Sequence, residues 1–402
     1  THVRWPGQTP SLQSMPRITE ALQSGTRLNG DILVSFGRIA VAALALIFGM
    51  LPAGASDLVH APPGLRPSLQ YESEAAVARG LKYLRNRQLP NGSWANHPVI
   101  TAMAVLAVAG DENLLEPSSD RAAQRGTGFL IYHQRDNGAI SNAASMQYPV
   151  YSTAVAVLAV GRLQIPAYDP GLSRARDFLI ASQHSDNANS PDFGGFPGIR
   201  GGYADLMTTQ WVLEALYITD RLAHRDPAEL ETIYERALTF IRNCQTPADH
   251  ESDRGMFLDS PRQLGALDSA VSPATPTNRF LRTAAGVKSL IYGRATSADP
   301  QLGAAVESLY AGLRDVSDFM KTVESSPYTS FFFLGRALRA VERSGMSPED
   351  DGAAGWRNRV AMALLNRQAG DGSWRPGEQA WWENHPDLVT AYAVLTLQGF
   401  LR

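Results

Sequence analysis

A seven-residue pattern occurs twice in this chain, as Gln88-Leu-Pro-Asn-Gly92-Ser-Trp94 and as Gln368-Ala-Gly-Asp-Gly372-Ser-Trp374. The continuations match too: His97-Pro98 leads into Ile100-Thr101-Ala-Met-Ala-Val-Leu, and His385-Pro386 into Val389-Thr390-Ala-Tyr-Ala-Val-Leu. In each copy a helix-like segment ends near the Gln, a glycine allows a tight turn, and an apolar Thr-Ala helix follows a short Pro-containing loop. Detailed repetition at opposite ends of one domain restricts the chain to helix pairs stacked as a solenoid or closed as a ring.

Weaker copies fill the space between. Arg121–Gln134 precedes Asp136-Asn137-Gly138-Ala139-Ile140, with Ile140 in the Trp position. Leu172–Gln183 precedes a loop ending Phe193-Gly194-Gly195-Phe196, and Leu230–Gln245 a longer one reaching Gly255-Met256-Phe257. A degenerate copy spans Ala304–Lys321, and the last spans Ala353–Gln368. Second helices are expected to start near Thr101, Thr153, Thr208, Thr283, Thr329 and Thr390. They are apolar nearly all round, as helices buried on both faces are, whereas the first helices mix Val77, Leu81 and Leu84 with Arg79, Lys82 and Arg85 in an outer-layer pattern. An open superhelix needs polar capping repeats. The final helix instead stays apolar to Phe400-Leu401, which favours closure, with the chain ends of the domain together.

The paired Gln-x-x-x-Gly-x-Trp segments, with the Thr-Ala-x-x-Val-Leu helix after each, resemble the QW motifs of the terpenoid-cyclase and protein-prenyltransferase superfamily. The resemblance covers about Ala75–Leu401 and implies an all-α fold, an α6/α6 toroid of six helix hairpins. It also implies that Gln88, Trp94, Gln368 and Trp374 hold the frame together, outside the cavity where ligands bind.

The N-terminal region reads differently. Ile39–Leu51 is an unbroken apolar run after Arg38 and before Pro52-Ala53-Gly54-Ala55. This is the form of a secretory signal cleaved after Ala55, with an uncleaved membrane anchor as the alternative. The expected division is residues 1–55 as tail and signal, 56–74 as linker and 75–402 as toroid. The single cysteine, Cys244, excludes an internal disulfide and any cysteine-rich metal site, and a net charge of −3 with both signs interspersed excludes an extended nucleic-acid surface.

The known catalytic signatures of the resembling families are absent. Class II cyclases carry Asp-x-Asp-Asp-Thr-Ala at the mouth of an inner helix, and the matching stretch here is Asp205-Leu206-Met207-Thr208-Thr209, with Met207 where the acid belongs. Without a partner carboxylate, Asp205 is expected to ionise near the ordinary value of about 3.9 unless it is deeply buried. Cys244 follows Arg242-Asn243 rather than Asp-x, so the zinc-binding Asp-x-Cys of prenyltransferases is missing, and Pro376-Gly377-Glu378-Gln379 has proline where a thioester domain has its cysteine. No cofactor or metal is implied.

One polar constellation remains as a catalytic candidate. In a closed ring His97 and His385 become neighbours, with Asp387 two residues on and Asp205 in a similar position before its own helix. Two histidines and a carboxylate have the donor chemistry for a divalent metal or for acid–base work. The competing reading is that each His caps its local helix. Tyr151, Tyr203, Trp211, Tyr328, Trp381 and Trp382 are candidates for lining an apolar pocket that takes an isoprenoid or other apolar ligand. The sequence therefore points to an exported toroid that binds an apolar ligand, or a protein partner, through its cavity or rim. The alternative is an enzyme, terpene-cyclase-like or glycan-active, with unfamiliar catalytic residues in the same cavity.

Overall fold

The computed structural model describes residues 64–110, 120–220, 227–247, 254–266, 276–314, 326–347, 355–376 and 383–401. The N-terminal apolar run lies outside these residues. Twelve α-helices occur among them: α1 (Pro67–Arg87), α2 (Pro98–Ala109), α3 (Arg121–Tyr132), α4 (Pro149–Leu163), α5 (Asp169–Ala181), α6 (Leu206–Ile218), α7 (Pro227–Cys244), α8 (Pro276–Tyr292), α9 (Pro300–Arg314), α10 (Pro327–Arg343), α11 (Trp356–Leu365) and α12 (Pro386–Phe400). Most start at a proline, whose missing N–H and fixed φ suit the first helical position. Helix α1 begins at Pro67, upstream of the expected start at Ala75.

Even-numbered helices form an inner ring. Each packs on the next, α2 on α4, α4 on α6, α6 on α8, α8 on α10, α10 on α12, and α12 returns to α2. Odd-numbered helices lie outside: α1 packs on α12, α3 on α2, α5 on α4 and α9 on α8, and α11 touches α1 across the seam. The ring closes. Every residue of α12 after Pro386 is buried, as a helix enclosed on all sides requires.

The Gln-Gly-Trp segments make this closure by one repeated hydrogen-bond pattern. Gln88 Nε2 donates to Gly92 O at 2.8 Å, within its own turn, and to Ala122 O at 2.8 Å, on the next outer helix. Gln134 does the same to Gly138 O and Gly171 O, Gln183 to Gly194 O and Ile233 O, and Gln245 to Gly255 O and Gln301 O. At the seam, Gln368 Nε2 donates to Gly372 O at 3.0 Å and to Ala76 O at 2.9 Å, joining the end of the domain to its beginning. Arg79 answers from α1 by donating to Gln368 Oε1 through Nε at 3.0 Å and Nη2 at 2.6 Å.

Glycine is required in the turn for two reasons. Gly92 sits at φ +86°, and a Cβ there would lie 2.4 Å from Arg125 O of the neighbouring helix. Both tryptophans are fully buried, and each indole N–H donates to its own outer helix, Trp94 to Leu84 O at 2.7 Å and Trp374 to Leu364 O at 2.8 Å. The ring fits because the next outer helix offers Gly126 to Trp94 and Gly80 to Trp374; a Cβ at either would meet the indole at 3.0 and 2.9 Å. Where Ile140 replaces the Trp, Ala175 follows the corresponding arginine, Arg174. The recurring threonine closes the loop: Thr101, Thr153, Thr209 and Thr390 accept through Oγ1 from the N–H of Trp94, Ile140, Phe196 and Trp374, at 2.9–3.0 Å.

Candidate functional site

All the turns sit at one end of the ring, where the inner helices begin. His97 and His385 cap α2 and α12: each Nδ1 accepts the backbone N–H two residues on, Val99 and Asp387, at 3.2 Å. Ring closure brings the two histidines together, and burial followed by the charge of His385 holds the His97 imidazole below its ordinary value. Asp387 hydrogen-bonds to the outer layer while staying beside His385. It is 1 % exposed and accepts from the Tyr83 hydroxyl at 3.2 Å and from Arg87 Nε at 3.3 Å, both on α1, while His385 Nδ1 lies 3.8 Å from it. Among the described residues no three His, Cys, Asp or Glu side chains converge on a metal-sized site.

Asp205 caps α6, its Oδ1 accepting from Thr208 N at 2.6 Å. The expectation of a lone, ordinarily ionised carboxylate is corrected here. Burial, and then repulsion from Asp259, push the Asp205 carboxyl up to about 7. Burial also raises Asp259, with Arg282 opposing the shift. Asp259 comes from the loop between α7 and α8, and its backbone carbonyl accepts from Leu206 N at 2.7 Å, which fixes the two acids side by side. The pair lies near Cys244, the last residue of outer helix α7, whose thiol is raised by burial first and by both carboxylates after it. Gly198 covers the other Asp205 oxygen so closely that a Cβ would stand 2.4 Å from it.

Aromatic side chains from four inner helices meet in a closed circuit. Tyr151 of α4 lies 6.3 Å from Trp211 of α6, Trp211 stacks on Phe332 of α10 at 6.0 Å, and Phe332 lies 5.0 Å from Tyr392 of α12. A hydrogen bond between Tyr392 and Tyr151 completes it, and burial pushes the Tyr151 hydroxyl up to about 12. Helices α4, α6, α10 and α12 are not all neighbours, so these rings meet across the lumen. Trp211, Phe332 and Tyr392 stand about six residues into their helices, roughly 9 Å below the mouth at 1.5 Å per residue.

An ion cluster accompanies the circuit. Lys288 Nζ of α8 is 2.6 Å from Glu214 Oε2 of α6, both side chains fully buried, and Arg336 of α10 donates to the other oxygen of Glu214. The same ammonium is 4.9 Å from the Trp211 ring. It braces three successive inner helices and places charge against an aromatic face.

Glu383, just before α12, is fully buried. Its Oε1 accepts from Thr329 N in the first turn of α10 at 2.5 Å, while the buried Oε2 makes no hydrogen bond among the described residues. Burial pushes this carboxyl up to about 7 against the opposing effects of the Thr329 N–H, the Thr329 hydroxyl and the Tyr328 N–H. Its charge acts on Tyr328 and on Tyr392 of the circuit.

Of the expected lining residues, Tyr151 and Trp211 belong to the circuit, and Tyr328 is buried beside Glu383. Tyr203 does not line the lumen: it is 67 % exposed and lies under the Arg262 guanidinium, 3.9 Å away, because Arg262 is anchored to Asp192 at 2.6 Å. Trp381 and Trp382 lie outside the described residues.

No family model matches the chain, and no curated protein is similar to it. Solved structures are similar in fold. A substituted form of the type II terpene cyclase MstE from Scytonema, in complex with geranylgeranyl dihydroxybenzoate as substrate, matches with a TM-score of 0.53 at 15 % identity, over 83 % of this chain and 99 % of that one. Another form of that cyclase, holding merosterolic acid A as product, gives 0.51 at 14 % identity over 83 % and 98 %. A protein from Actinoplanes gives 0.51 at 17 % identity over 82 % and 98 %. The chain has a terpenoid-cyclase-like fold. At these identities the likeness concerns the α/α toroid alone.

Proposed function

We propose that the lumen receives the apolar end of an isoprenoid chain. The observation that carries this reading is the aromatic circuit of Tyr151, Trp211, Phe332 and Tyr392, which brings rings from four inner helices together across the lumen, Trp211 and Phe332 face to face and the others edge-on or tilted. Such faces pack against alkenes and stabilise positive charge developing on them. The geranylgeranyl substrate of the Scytonema cyclase supports an isoprenoid over other apolar ligands.

A specific observation favours an enzyme over a passive binder. On sequence alone, expected export and the missing signatures, with Met207 unable to give up a proton, favour binding. Asp205 and Glu383 instead are both raised to about 7, so carboxylic acid is available at neutral pH close to the inner-helix mouths. Chemistry begun by protonating an alkene, as in a type II cyclase, is the reaction class this arrangement supports. Export through the N-terminal apolar run is part of the same proposal.

Binding tests the reading first. Geranylgeranyl dihydroxybenzoate and geranylgeraniol are titrated into the full chain by calorimetry at several temperatures. The expected result is saturable binding with a negative heat-capacity change, weakened at least about tenfold by Phe332→Ala, a loss of about 1.4 kcal/mol or more. No binding, or binding indifferent to Phe332→Ala in a folded variant, refutes it.

A further inference from the structure

We propose that Gln210 is the head-group site of the lumen, where its side-chain amide takes the carboxylic acid or carboxamide end of a prenyl chain. The assignment rests on reading the lumen as an isoprenoid site and goes beyond it by naming the polar end of the ligand.

Gln210 stands out first against the repeat. Inner helices carry Thr101-Ala102, Thr153-Ala154, Thr283-Ala284 and Thr390-Ala391, whereas α6 carries Thr209-Gln210. The cyclase motif aligned on Asp205 also ends in alanine, so the glutamine is a feature of this chain and not of the frame. The four alanines are buried, and Gln210 is 0 % exposed. A position that elsewhere encloses a methyl group here encloses a primary amide.

The state of that amide is a second observation. Both Oε1 and Nε2 are buried and neither makes a hydrogen bond, and among the described residues no other side chain has two polar atoms in that state. Buried polar groups are nearly always paired in folded proteins, and an amide left empty costs stability.

The position gives the amide its surroundings. Gln210 lies four residues after α6 starts at Leu206, about 6 Å below the mouth. Thr209, one residue before, is turned back to its own loop, its Oγ1 accepting from Phe196 N. Glu214, four residues on and so on the same helix face, reaches Lys288 of α8 and Arg336 of α10. Trp211 of the aromatic circuit is the next residue. A prenyl chain lying against Trp211 brings its polar end to Gln210.

The amide selects the chemistry. It offers an N–H donor and a carbonyl acceptor side by side. Its complement is a planar group with a carbonyl oxygen beside an O–H or N–H: Nε2–H donates to the ligand carbonyl, and the ligand O–H or N–H donates to Oε1. A carboxylic acid and a carboxamide have this pattern, and an ester lacks the donor. The acid binds in its neutral form, because the Glu214 carboxylate one turn deeper opposes a second negative charge and Lys288 is held on Glu214 at 2.6 Å.

The test titrates geranylgeranoic acid, geranylgeranamide and methyl geranylgeranoate into the full chain by calorimetry at pH 5 and pH 8, with urea unfolding of each variant. The wild-type chain is expected to bind the carboxamide at least about tenfold more tightly than the ester at both pH values. The acid is expected to match the carboxamide at pH 5 and to bind more weakly at pH 8. Gln210→Met keeps the side-chain length and removes the amide. It is expected to bind all three within about threefold of one another, with affinity for the ester unchanged and a urea midpoint at or above wild type, because no hydrogen bond is lost. Gln210→Ala is expected to lose the same preference. Equal binding of the three probes by the wild-type chain, a preference that survives both substitutions, or a lowered midpoint in Gln210→Met overturns the assignment, the last by showing the amide bonded within the protein. Tighter binding of the acid at pH 8 than at pH 5 also overturns it and moves an ionised head group to Lys288 and Arg336. A wild-type chain that binds none of the three removes the reading of the lumen and this assignment with it, whereas equal binding removes this assignment alone.

Discussion

Gln368→Ala isolates ring closure as a measurable energy. The side chain donates to Ala76 O at 2.9 Å and Gly372 O at 3.0 Å and accepts two hydrogen bonds from Arg79. Each neutral bond contributes about 1 kcal/mol net and a bond to a charged partner about 1.5 kcal/mol or somewhat more. Arg79 is exposed, so the lower figure applies. Removing the set should cost about 2–4 kcal/mol, allowing for non-additivity within one network. Gln88→Ala is the matched control, because Gln88 makes the same bonds to Gly92, Ala122 and Arg125 between the first two repeats. Urea unfolding at neutral pH reads both, and in a closed ring the two losses agree within about 1 kcal/mol. Hydrogen exchange adds a location: Gln368→Ala should speed exchange in α1 and α11, and Gln88→Ala in α1 and α3. A loss below about 0.5 kcal/mol for Gln368→Ala beside a full loss for Gln88→Ala would refute closure, because an open superhelix leaves Gln368 without a partner on α1.

Trp94→Ala and Trp374→Ala should each destabilise by about 3–5 kcal/mol, as large-to-small changes at fully buried sites, and leave ligand affinity unchanged in whatever remains folded; calorimetry on the folded fraction checks both. Glu214→Ala removes the carboxylate that Lys288 and Arg336 share in the core and should cost about 3–5 kcal/mol, read as a drop in the urea midpoint without a change in m. Asp205 and Glu383 have folded values near 7, well above their unfolded ones, so the stability they contribute is complete below about pH 4 and is lost as pH rises through 7. Melting temperature should therefore fall between pH 5 and 7.5, and less steeply in Asp205→Asn and in Glu383→Gln; a flat wild-type profile contradicts the shifts. The Cys244 thiol, buried and raised well above its ordinary value, should resist alkylation at pH 8 until the protein unfolds.

The frame was legible because its chemistry recurs at fixed spacing. At Gln88, Gln134 and Gln368 the Gln and Gly recur four residues apart because they make the same bonds, and Thr101, Thr153, Thr209 and Thr390 accept the N–H at the Trp position. The expected starts of those helices, at threonines, fall a few residues inside the observed ones, which begin at prolines such as Pro98, Pro327 and Pro386. The site was less legible. Asp259 reaches Asp205 from a non-periodic loop, and nothing in its local sequence marks the partner it will meet. Glu383 lies between Trp382 and Asn384 and gains its character only from burial against the start of α10. Two local signals point to the ion cluster: Glu214 is the one charged residue of an otherwise apolar α6, and Lys288 is one of only three lysines in the chain. Asp387 shows the opposite case, a carboxylate at an inner-helix mouth whose partners, Tyr83 and Arg87, are on the outer helix.

The lumen as the isoprenoid site is tested most directly by a crystal structure of the full chain soaked with geranylgeranyl dihydroxybenzoate. The predicted result is density for the prenyl end inside the inner ring, against Trp211 and Phe332 and within reach of Glu383 Oε2. Density confined to the outer-surface groove of about 470 Å³ lined by Pro90, Gly92, Phe129 and Tyr132, with the lumen aromatics still in mutual contact, would contradict it.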